Sequence, residues 1–395
     1  MCETLNRDDR KSGKTIPVSE AVGTVLAHDI TEIRPGKFKG CAFRKGHVVR
    51  QEDVCHLQRL GKENLFVMKI EGDEMHEDDA AYALASALMG EGVEIKGEPR
   101  EGKIDIIASR EGLLKIERDA LHAMNMLGEV MCATLHTNTL VKKGQTVAGT
   151  RAIPLVVKRD VVEKAVSILK GPGGRTSEGS GGQGFKDSGI GCSDSRTLEP
   201  QNPVVQVLPL KRPRAGIVIT GNEVYEGLIR DAFAPVIRQK IEEFGGEIVG
   251  LHYAPDNREY IRTRLSELLS AGADLLITTG GMSVDPDDVT RFAISDLGAT
   301  VIVYGSAVLP GAMFLVAYIT PPSSPPCQGG ERGGIPVLGI PACGMYAKTT
   351  VFDLVLPRVL AGEKIGRKEL AELGHGGLCL KCETCRYPVC PLGKG

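Results

Sequence analysis

The feature that most constrains the fold is a repeated alternation of short apolar runs and amphipathic segments between residues 213 and 363. The apolar runs, such as 215–220 and 274–279, are rich in Val, Ile and Leu, as strands buried on both faces are. The segments between them carry apolar residues at helical spacing, as Ile261 and Leu265 do. Repeated strand–helix units predict an α/β fold: a three-layer α/β/α domain whose sheet is mostly parallel.

The same pattern places the individual elements along this region. Strands are predicted at 215–220, 247–252, 274–279 and 300–304, and helices at 230–244, from 256 or 257, from about 287, and at 346–360. Two further apolar runs, 313–319 and 335–340, flank a segment at 320–334 that is rich in Pro, Ser and Gly. Such a segment cannot lie in a core, so we expect two neighbouring strands with a long loop between them.

A second glycine-rich run divides the chain. Residues 171–199 are rich in Gly and Ser and poor in apolar side chains, which is typical of a flexible linker. The N-terminal region, 15–168, is predicted to be mixed α+β, in one or two subdomains. Its predicted elements are a helix at 80–88, a strand at 103–107, a helix at 113–127 and two strands within 140–154. After the linker we expect one α/β domain at 205–365 and a tail at 376–395.

Composition and charge exclude several classes of partner. The formal net charge is -2, so the chain offers no electrostatic reason to bind nucleic acid or an anionic membrane. No apolar stretch is long enough to cross a bilayer, and the first residues lack the apolar segment of a signal peptide. The cysteines are therefore interpreted as thiols of a cytoplasmic protein, not as a disulfide framework.

Three turns of the α/β region follow predicted strands, where ligands of parallel sheets bind. They are the turns at 220–224, 278–290 and 337–344. In the second turn, Gly280 and Gly281 allow a sharp change of direction and a close approach of a ligand to the backbone. The hydroxyls of Thr279 and Ser283, free N–H groups and the start of the next helix could then hold a phosphate.

Two carboxylates accompany these turns. Asp288 follows the paired glycines, and Asp256 follows the predicted strand at 247–252. A carboxylate repels a phosphate unless a cation lies between them, so Mg²⁺ is the expected bridge. The alternative is that both residues only begin helices, as Asp commonly does.

Taken in order, these turns resemble the molybdopterin-binding fold of the MoaB/Mog proteins and of the C-terminal part of molybdopterin molybdenumtransferase (MoeA). The family pattern is a Thr-Gly-acidic turn, a Pro-Asp that opens a helix, and a Thr/Ser-Gly-Gly-x-Ser/Thr turn followed by Asp-x-Thr. The matching segments are Thr220-Gly221-Asn222-Glu223, Pro255-Asp256, Thr279-Gly280-Gly281-Met282-Ser283 and Asp288-Val289-Thr290. The longer enzyme adds a Pro-Gly, matched by Pro310-Gly311, and a final turn matched in its first half by Gly339-Ile340-Pro341.

The resemblance implies a site for the phosphate of molybdopterin, or of adenylylated molybdopterin, at the ends of these strands. It implies that Asp256 and Asp288 are catalytic and that Asp288 is a ligand of Mg²⁺. The implied cofactor-binding residues are Thr220, Gly221, Asn222, Glu223, Thr279, Gly280, Gly281, Ser283, Pro310, Gly311, Gly339 and Pro341. The implied reaction is insertion of molybdenum or tungsten, from molybdate or tungstate, into the pterin dithiolene by a transferase of cofactor biosynthesis.

A second interpretation stays open: a non-catalytic protein that senses or delivers the finished cofactor. Two departures from the longer enzyme favour it. Residues 36–46 replace a Ser-Ala-Met-Asp-Gly-Tyr-Ala segment, and the turn at 339–344 matches only in part. Under either interpretation, the expected protein partners are a further copy of the chain, a molybdoenzyme or another protein of cofactor assembly.

Four cysteines near the C-terminus have the spacing C-x2-C-x2-C-x4-C-P. They are Cys379, Cys382, Cys385 and Cys390. Four thiolates this close in sequence could complete one tetrahedral site, so we expect the tail to bind Zn²⁺ or an iron–sulfur cluster as a self-contained module. The alternative is a disordered tail with incidental cysteines.

Overall fold

The structure is a computed structural model of the chain. It describes residues 13–24, 26–34, 38–68, 72–171, 203–281, 289–320 and 334–394. The chain divides into two compact units, the first made of residues 1–135 and 141–207 and the second of 136–140 and 208–395. The predicted linker and the loop at 320–334 lie almost entirely outside the described residues.

Strands and helices alternate before residue 209 without a regular repeat. The strands are β1 (Gly13–Pro17), β2 (Ile30–Arg34), β3 (Phe38–Phe43), β4 (Asn64–Met68), β5 (Glu74–His76), β6 (Val93–Arg100), β7 (Lys103–Ala108), β8 (Gly112–Ile116), β9 (Val130–Thr134), β10 (Thr139–Val141), β11 (Thr146–Ala152), β12 (Val156–Lys158) and β13 (Val205–Leu208). The helices are α1 (Asp53–Arg59), α2 (Glu77–Leu88), α3 (Arg118–Asn125) and α4 (Arg159–Lys170), and Val18–Glu20 is a 3₁₀ turn. The mixed α+β character predicted for this region is confirmed.

The main sheet of the first unit has four antiparallel strands in the order β6-β7-β11-β9. Helix α2 contacts β7 and β11, and its side chains Leu84 and Leu88 share one buried cluster with Ile104 and Ile106 of β7. The helix at 80–88 and the strand at 103–107 were therefore predicted correctly, because the apolar spacing in each matches the buried face.

The predicted helix at 113–127 is wrong in its first part. Residues Gly112–Ile116 form β8, which lies in a three-stranded sheet, and Leu113 and Leu114 are fully buried there. Helix α3 begins only after Glu117, whose carboxylate accepts a hydrogen bond from the Ala120 N–H at 2.8 Å. A short apolar run fits a buried strand as well as a helix, and here sheet pairing decides in favour of the strand.

Glu77, the first residue of α2, gives a prediction for the pH dependence of stability. Its side chain is 5% exposed, and burial, followed by the charge of Asp78, raises its pKa to about 7. The folded chain therefore holds this proton to a higher pH than the unfolded chain. The stability linked to this proton is fully present below the ordinary pKa of 4.5 and is lost as the pH rises towards about 7.

We expect Glu77→Gln to remove this dependence. Between about pH 5 and pH 8, the free energy of unfolding should fall by about 2 kcal/mol more in the parent chain than in the variant. Urea unfolding followed by far-ultraviolet circular dichroism measures the difference. Glu163→Gln, which changes an exposed carboxylate of α4, is the matched control and should keep the parent's pH profile. Parallel profiles for the parent and Glu77→Gln would refute the assignment.

The second unit contains the predicted strand–helix alternation. Its strands are β14 (Arg214–Thr220), β15 (Glu247–Ala254), β16 (Leu275–Thr279), β17 (Ala299–Tyr304), β18 (Leu315–Ile319) and β19 (Ile335–Ile340). Its helices are α5 (Asn222–Tyr225), α6 (Phe233–Glu242), α7 (Arg258–Ser270), α8 (Thr290–Asp296), α9 (Val351–Leu360) and α10 (Arg367–Glu372), with a 3₁₀ turn at Ala342–Met345. Within the described ranges, no helix of either unit is long and apolar enough to cross a membrane.

These six strands form one sheet in the order β15-β14-β16-β19-β18-β17, and β14, β15, β16 and β19 are parallel. Strand β18 runs antiparallel to both of its neighbours. Side chains of β14 alternate between two cores: Ile217 and Ile219 pack with α6 and α9, whereas Val218 packs with α7 and α8. Helices thus cover both faces, and the predicted three-layer α/β/α architecture is confirmed.

Helix ends were predicted less well than helices. Helix α8 begins at Thr290 instead of about residue 287. Helix α9 begins at Val351 instead of residue 346, because Thr350 caps it and accepts a hydrogen bond from the Phe352 N–H at 3.2 Å. Helix α7 is capped by Asn257, which accepts from the Tyr260 N–H at 2.9 Å, so Asp256 is left outside the helix.

Candidate functional site

The carboxyl ends of the parallel strands meet at one edge of the sheet. In the observed register Thr220 pairs with Ala254, and Thr279 pairs with both Ile219 and Ile340. The predicted turns after β14, β15, β16 and β19 therefore start at the same level. This edge, which we call the carboxyl edge, is where a doubly covered parallel sheet binds its ligands.

The turn after β16 is built from two glycines with left-handed backbone. Gly280 has φ +73° and Gly281 has φ +56°. A Cβ atom at Gly280 would lie 2.5 Å from the Thr220 carbonyl oxygen, and one at Gly281 would lie 2.3 Å from Thr290 Oγ1. Both contacts are too short for any side chain, so glycine is required here for two reasons, backbone conformation and space.

Hydroxyl groups fix this turn against β14. Thr220 Oγ1 donates to the Thr279 carbonyl at 2.5 Å and lies 3.4 Å from Thr290 Oγ1. The Thr279 hydroxyl is fully buried and has no hydrogen-bond partner among the described residues. The Thr278 hydroxyl, one residue earlier, is likewise buried and unpaired among the described residues, and each such group costs about 1–3 kcal/mol.

A reciprocal pair of hydrogen bonds joins the turns after β14 and β15. The Asn222 N–H donates to Asp256 Oδ2 at 3.2 Å, and the Asp256 N–H donates to Asn222 Oδ1 at 3.0 Å. The Gly221 N–H donates to the Ala254 carbonyl at 3.1 Å. These bonds hold the half-buried Asp256 carboxylate at the carboxyl edge, beside residues 220–222.

Glu223 has a structural role in the same turn. Its backbone carbonyl accepts hydrogen bonds from the N–H groups of Leu228 and Ile229, at 2.8 and 3.1 Å. These bonds order the segment that follows α5. Glu223 therefore lies at the carboxyl edge as predicted, one residue beyond the Asn222–Asp256 pair.

The remaining predicted residues lie on the β18–β19 side of the sheet. The Pro310 carbonyl accepts from the Val351 N–H at 3.4 Å, and a Cβ atom at Gly311 would lie 2.5 Å from the Val351 side chain. Pro341 directly follows β19 and precedes the 3₁₀ turn. Gly339, predicted in a turn, instead lies inside β19, because it pairs with Thr278 on one side and Leu315 on the other. Ser283 and Asp288 lie outside the described residues.

The C-terminal tail packs against the second unit instead of standing apart from it, and metal binding by its cysteines stays a prediction. The Leu309 N–H donates to the Gly377 carbonyl at 2.9 Å, and the Cys379 N–H donates to the Leu309 carbonyl at 2.8 Å. Leu392 is buried in the core that contains α9, and Tyr387 packs against that core. Apolar tail side chains thus find a partner surface in the domain, which the sequence pattern could not show.

The tail and the segment before α9 enclose a cavity of about 500 Å³, and Pro310 is the one predicted cofactor-binding residue in its lining. Five cysteines line it: Cys343, Cys379, Cys382, Cys385 and Cys390. A hydrogen bond with Thr349 and one from the backbone of Tyr387 lower the pKa of the Cys385 thiol. Across the described ranges, no three Cys, His, Asp or Glu side chains are close enough together to hold a metal ion. The four tail thiols thus share a cavity but are not assembled around one point.

Some residues of the carboxyl edge were missed. The Thr290 hydroxyl lies beside Gly281 and 3.4 Å from Thr220 Oγ1. The Asp-x-Thr part of the family pattern could have identified this residue. Tyr225 and Tyr260 pack edge to face with ring centroids 5.7 Å apart, and the Arg264 guanidinium lies 4.7 Å from the Tyr260 ring centre. No local pattern marks this pair, because its partners are far apart in sequence.

Several known proteins are similar to part of this chain. The CinA-like protein of Fervidobacterium nodosum is 40% identical over 82 residues, 21% of this chain and 20% of that protein. The CinA-like protein of Thermosipho melanesiensis is 42% identical over 79 residues, 20% of each chain. The chain spans about a fifth of the length of these curated relatives.

The solved structures that are similar to this chain match less than two fifths of it. The molybdopterin biosynthesis enzyme MoaB of Thermus thermophilus is 22% identical with a TM-score of 0.30, and the match covers 38% of this chain and 98% of that one. The tungsten cofactor synthesizing protein MoaB of Pyrococcus furiosus is 18% identical with a TM-score of 0.28, covering 37% and 90%.

Family models assign two parts of the chain. Residues 15–69 match a domain of unknown function (DUF8806). Residues 216–361 match the model described as a probable molybdopterin binding domain, and this range contains all the strand ends of the carboxyl edge. Residues 216–361 therefore belong to the family of probable molybdopterin binding domains.

Proposed function

We propose that the second unit binds molybdopterin, or adenylylated molybdopterin, at the carboxyl edge of its sheet, and that the chain acts in assembly of the molybdenum or tungsten cofactor. One observation carries the proposal. The paired glycines 280 and 281 pack directly on Thr220 and Thr290 and leave the buried Thr279 hydroxyl without a described partner, inside a domain of the matching family. The similar MoaB proteins are named for the same chemistry.

The phosphate of the pterin is proposed to lie at the turn after β16. Two consecutive residues with positive φ turn the backbone sharply, and we propose that the N–H groups of this turn face the anion. The Thr279 hydroxyl can donate to the same anion, which would remove the cost of leaving it unpaired. Ser283 is proposed as a further donor.

We propose that Asp256 and Asp288 would hold a magnesium ion at the phosphate site. Asp256 fits this role in its chemistry, since Mg²⁺ is usually held by one or two carboxylates together with substrate phosphates. Its carboxylate is half-buried at the edge and fixed by the Asn222 N–H. When bound, the cation would offset the negative charge of the phosphate.

The proposed reaction is insertion of the metal from molybdate or tungstate into the dithiolene of the bound pterin. The dithiolene sulfurs are themselves the ligands of the metal, so the protein need not supply a nucleophile. The work of the domain is to orient the pterin and to keep water away from the reacting atoms. Cofactor-binding roles are accordingly proposed for Thr220, Gly221, Asn222, Glu223, Pro310, Gly311, Gly339 and Pro341.

The experiment is to incubate the full chain with molybdopterin or adenylylated molybdopterin, molybdate and Mg²⁺, and to identify the pterin product. A molybdenum-containing pterin that forms only with the protein present is the expected result. Recovery of unchanged, protein-bound pterin would contradict metal insertion and support the second candidate, a protein that senses or delivers the cofactor.

Asp256→Asn tests the role of the carboxylate. The variant keeps an oxygen that accepts from the Asn222 N–H but loses the charge, so it should fold normally. We expect product formation to fall roughly tenfold or more, with a smaller change in pterin affinity, because the charge acts through Mg²⁺. Glu259→Gln, an exposed carboxylate in the first turn of α7, is the control and should retain full activity. Unchanged activity of Asp256→Asn would exclude a catalytic role for this carboxylate.

A further inference from the structure

The cavity beneath the C-terminal tail collects more thiols than any other described part of the chain. Of the eight cysteines in the described ranges, five line this one space, and four of those five form the C-x2-C-x2-C-x4-C run. Cys379 and Cys390 are half-buried against the core of the second unit, whereas Cys382 and Cys385 are exposed. Two thiols of the run therefore pack against the core, and the other two are exposed to solvent, although all four line the same cavity.

Hydrogen-bond donors point at two of these sulfurs in the same way. The Lys381 N–H donates to Cys379 Sγ at 3.5 Å, and the backbone of Tyr387 donates to Cys385 Sγ. In both cases the donor is the residue two positions after the cysteine. The Thr349 hydroxyl, 3.3 Å from Cys385 Sγ, adds a third donor when the sulfur is a thiolate. These contacts fix the positions of two of the four sulfurs at the cavity wall.

The charges around the cavity also fit an anionic centre. Its lining contains Lys348, Lys381 and Arg386 against one carboxylate, Glu383. Four thiolates around one divalent ion carry a net charge of about minus two, which this excess of cations would partly offset. A neutral apolar ligand would gain nothing from these side chains.

We propose that Cys379, Cys382, Cys385 and Cys390 hold one metal centre, either Zn²⁺ or an iron–sulfur cluster, within this cavity and against the second unit. Both centres use the same chemistry, coordination by cysteine thiolates. Among the described residues no three of these thiols are close enough to share one ion, so assembly requires the tail to rearrange within the cavity. Each thiol that binds loses its proton to solvent, so metal uptake weakens as the pH falls. The cavity shares Pro310 with the proposed pterin site, but none of the four proposed thiolate ligands belongs to that site.

The first test is elemental analysis of the full chain purified without oxygen. We expect about one zinc per chain, or iron with acid-labile sulfide and broad visible absorption, and the analysis tells the two centres apart. If the chain is isolated without metal, Zn²⁺ alone should bind with about one-to-one stoichiometry in competition with a coloured chelator. A chain that is isolated without metal and binds no Zn²⁺ would overturn the proposal.

Matched serine variants assign the ligands. Cys382→Ser should lose most of the metal, whereas Cys55→Ser, an exposed thiol of α1 in the first unit, should retain it. Cys343→Ser should also retain it, because Cys343 lines the cavity but lies outside the run. Circular dichroism of each variant shows whether the chain is still folded. Equal metal content in Cys382→Ser and Cys55→Ser, or loss of metal in Cys343→Ser, would overturn the assignment to the four tail thiolates.

Discussion

Replacing Leu392 with Ala is expected to lower the free energy of unfolding of the second unit by about 2–4 kcal/mol. Leu392 is only 3% exposed and belongs to the same core cluster as Leu354 and Val355 of α9. Truncation removes its apolar contacts and leaves a cavity that the surrounding side chains can fill only in part. The effect is large for a residue so near the C-terminus, because the tail covers part of the domain's core.

Urea unfolding followed by far-ultraviolet circular dichroism measures this effect. Val389→Ala is the matched control: Val389 lies three residues earlier in the same tail and is 81% exposed, so its truncation should change stability by less than about 0.5 kcal/mol. Removal of residues 376–395 should destabilise the unit further than Leu392→Ala does. Equal stability of the two point variants would show that the tail does not pack against the core in solution.

Gly280→Ala is the second substitution with a large expected effect, a loss of about 3 kcal/mol of stability. The residue has φ +73°, a conformation that costs a residue with a side chain about 1–2 kcal/mol. Its new Cβ would also lie 2.5 Å from the Thr220 carbonyl oxygen, a backbone atom that cannot turn away. Relief of the clash must displace the turn from β14, and the proposed phosphate site with it.

A second glycine separates these two causes. Gly298 has φ +79°, but a Cβ atom there would meet nothing within 4 Å. The residue directly precedes β17, the last strand in the order of the sheet. Gly298→Ala should therefore cost only the conformational penalty of about 1–2 kcal/mol. Chemical unfolding of both variants gives the comparison. Similar losses of unfolding free energy in Gly280→Ala and Gly298→Ala would show that β14 can move away from a side chain at residue 280 at little cost.

The sheet of the second unit, and the meeting of its turns at one edge, could be predicted from the sequence because both depend on local signals. Each buried strand appears in the sequence as a Val/Ile/Leu-rich run. Gly221 and Gly280 directly follow such runs, and Asp256 lies two residues after the end of β15. Parallel strands then bring their carboxyl ends together whatever the details of packing. The predicted start of helix α8 was three residues too early, because propensity alone does not determine where a helix begins.

The features that could not be predicted depend on contacts between distant residues. Residues 113–116 could form a helix or a strand, and only pairing in a sheet decides between them. The docking of the tail depends on Leu392 meeting α9, more than thirty residues earlier in the chain, so a local reading of the cysteine run suggested a separate module. The Tyr225–Tyr260 pair likewise forms only once β14 and β15 lie side by side.

Equilibrium binding of molybdopterin to the full chain tests the central claim most directly. The protein contains no Trp, so the fluorescence of the pterin can be followed with little background from the protein. The account predicts saturable binding of about one pterin per chain, weakened at least roughly tenfold by Gly280→Ala and left nearly unchanged by Gly298→Ala. The absence of saturable binding to the parent chain, or equal affinity in all three proteins, would contradict it.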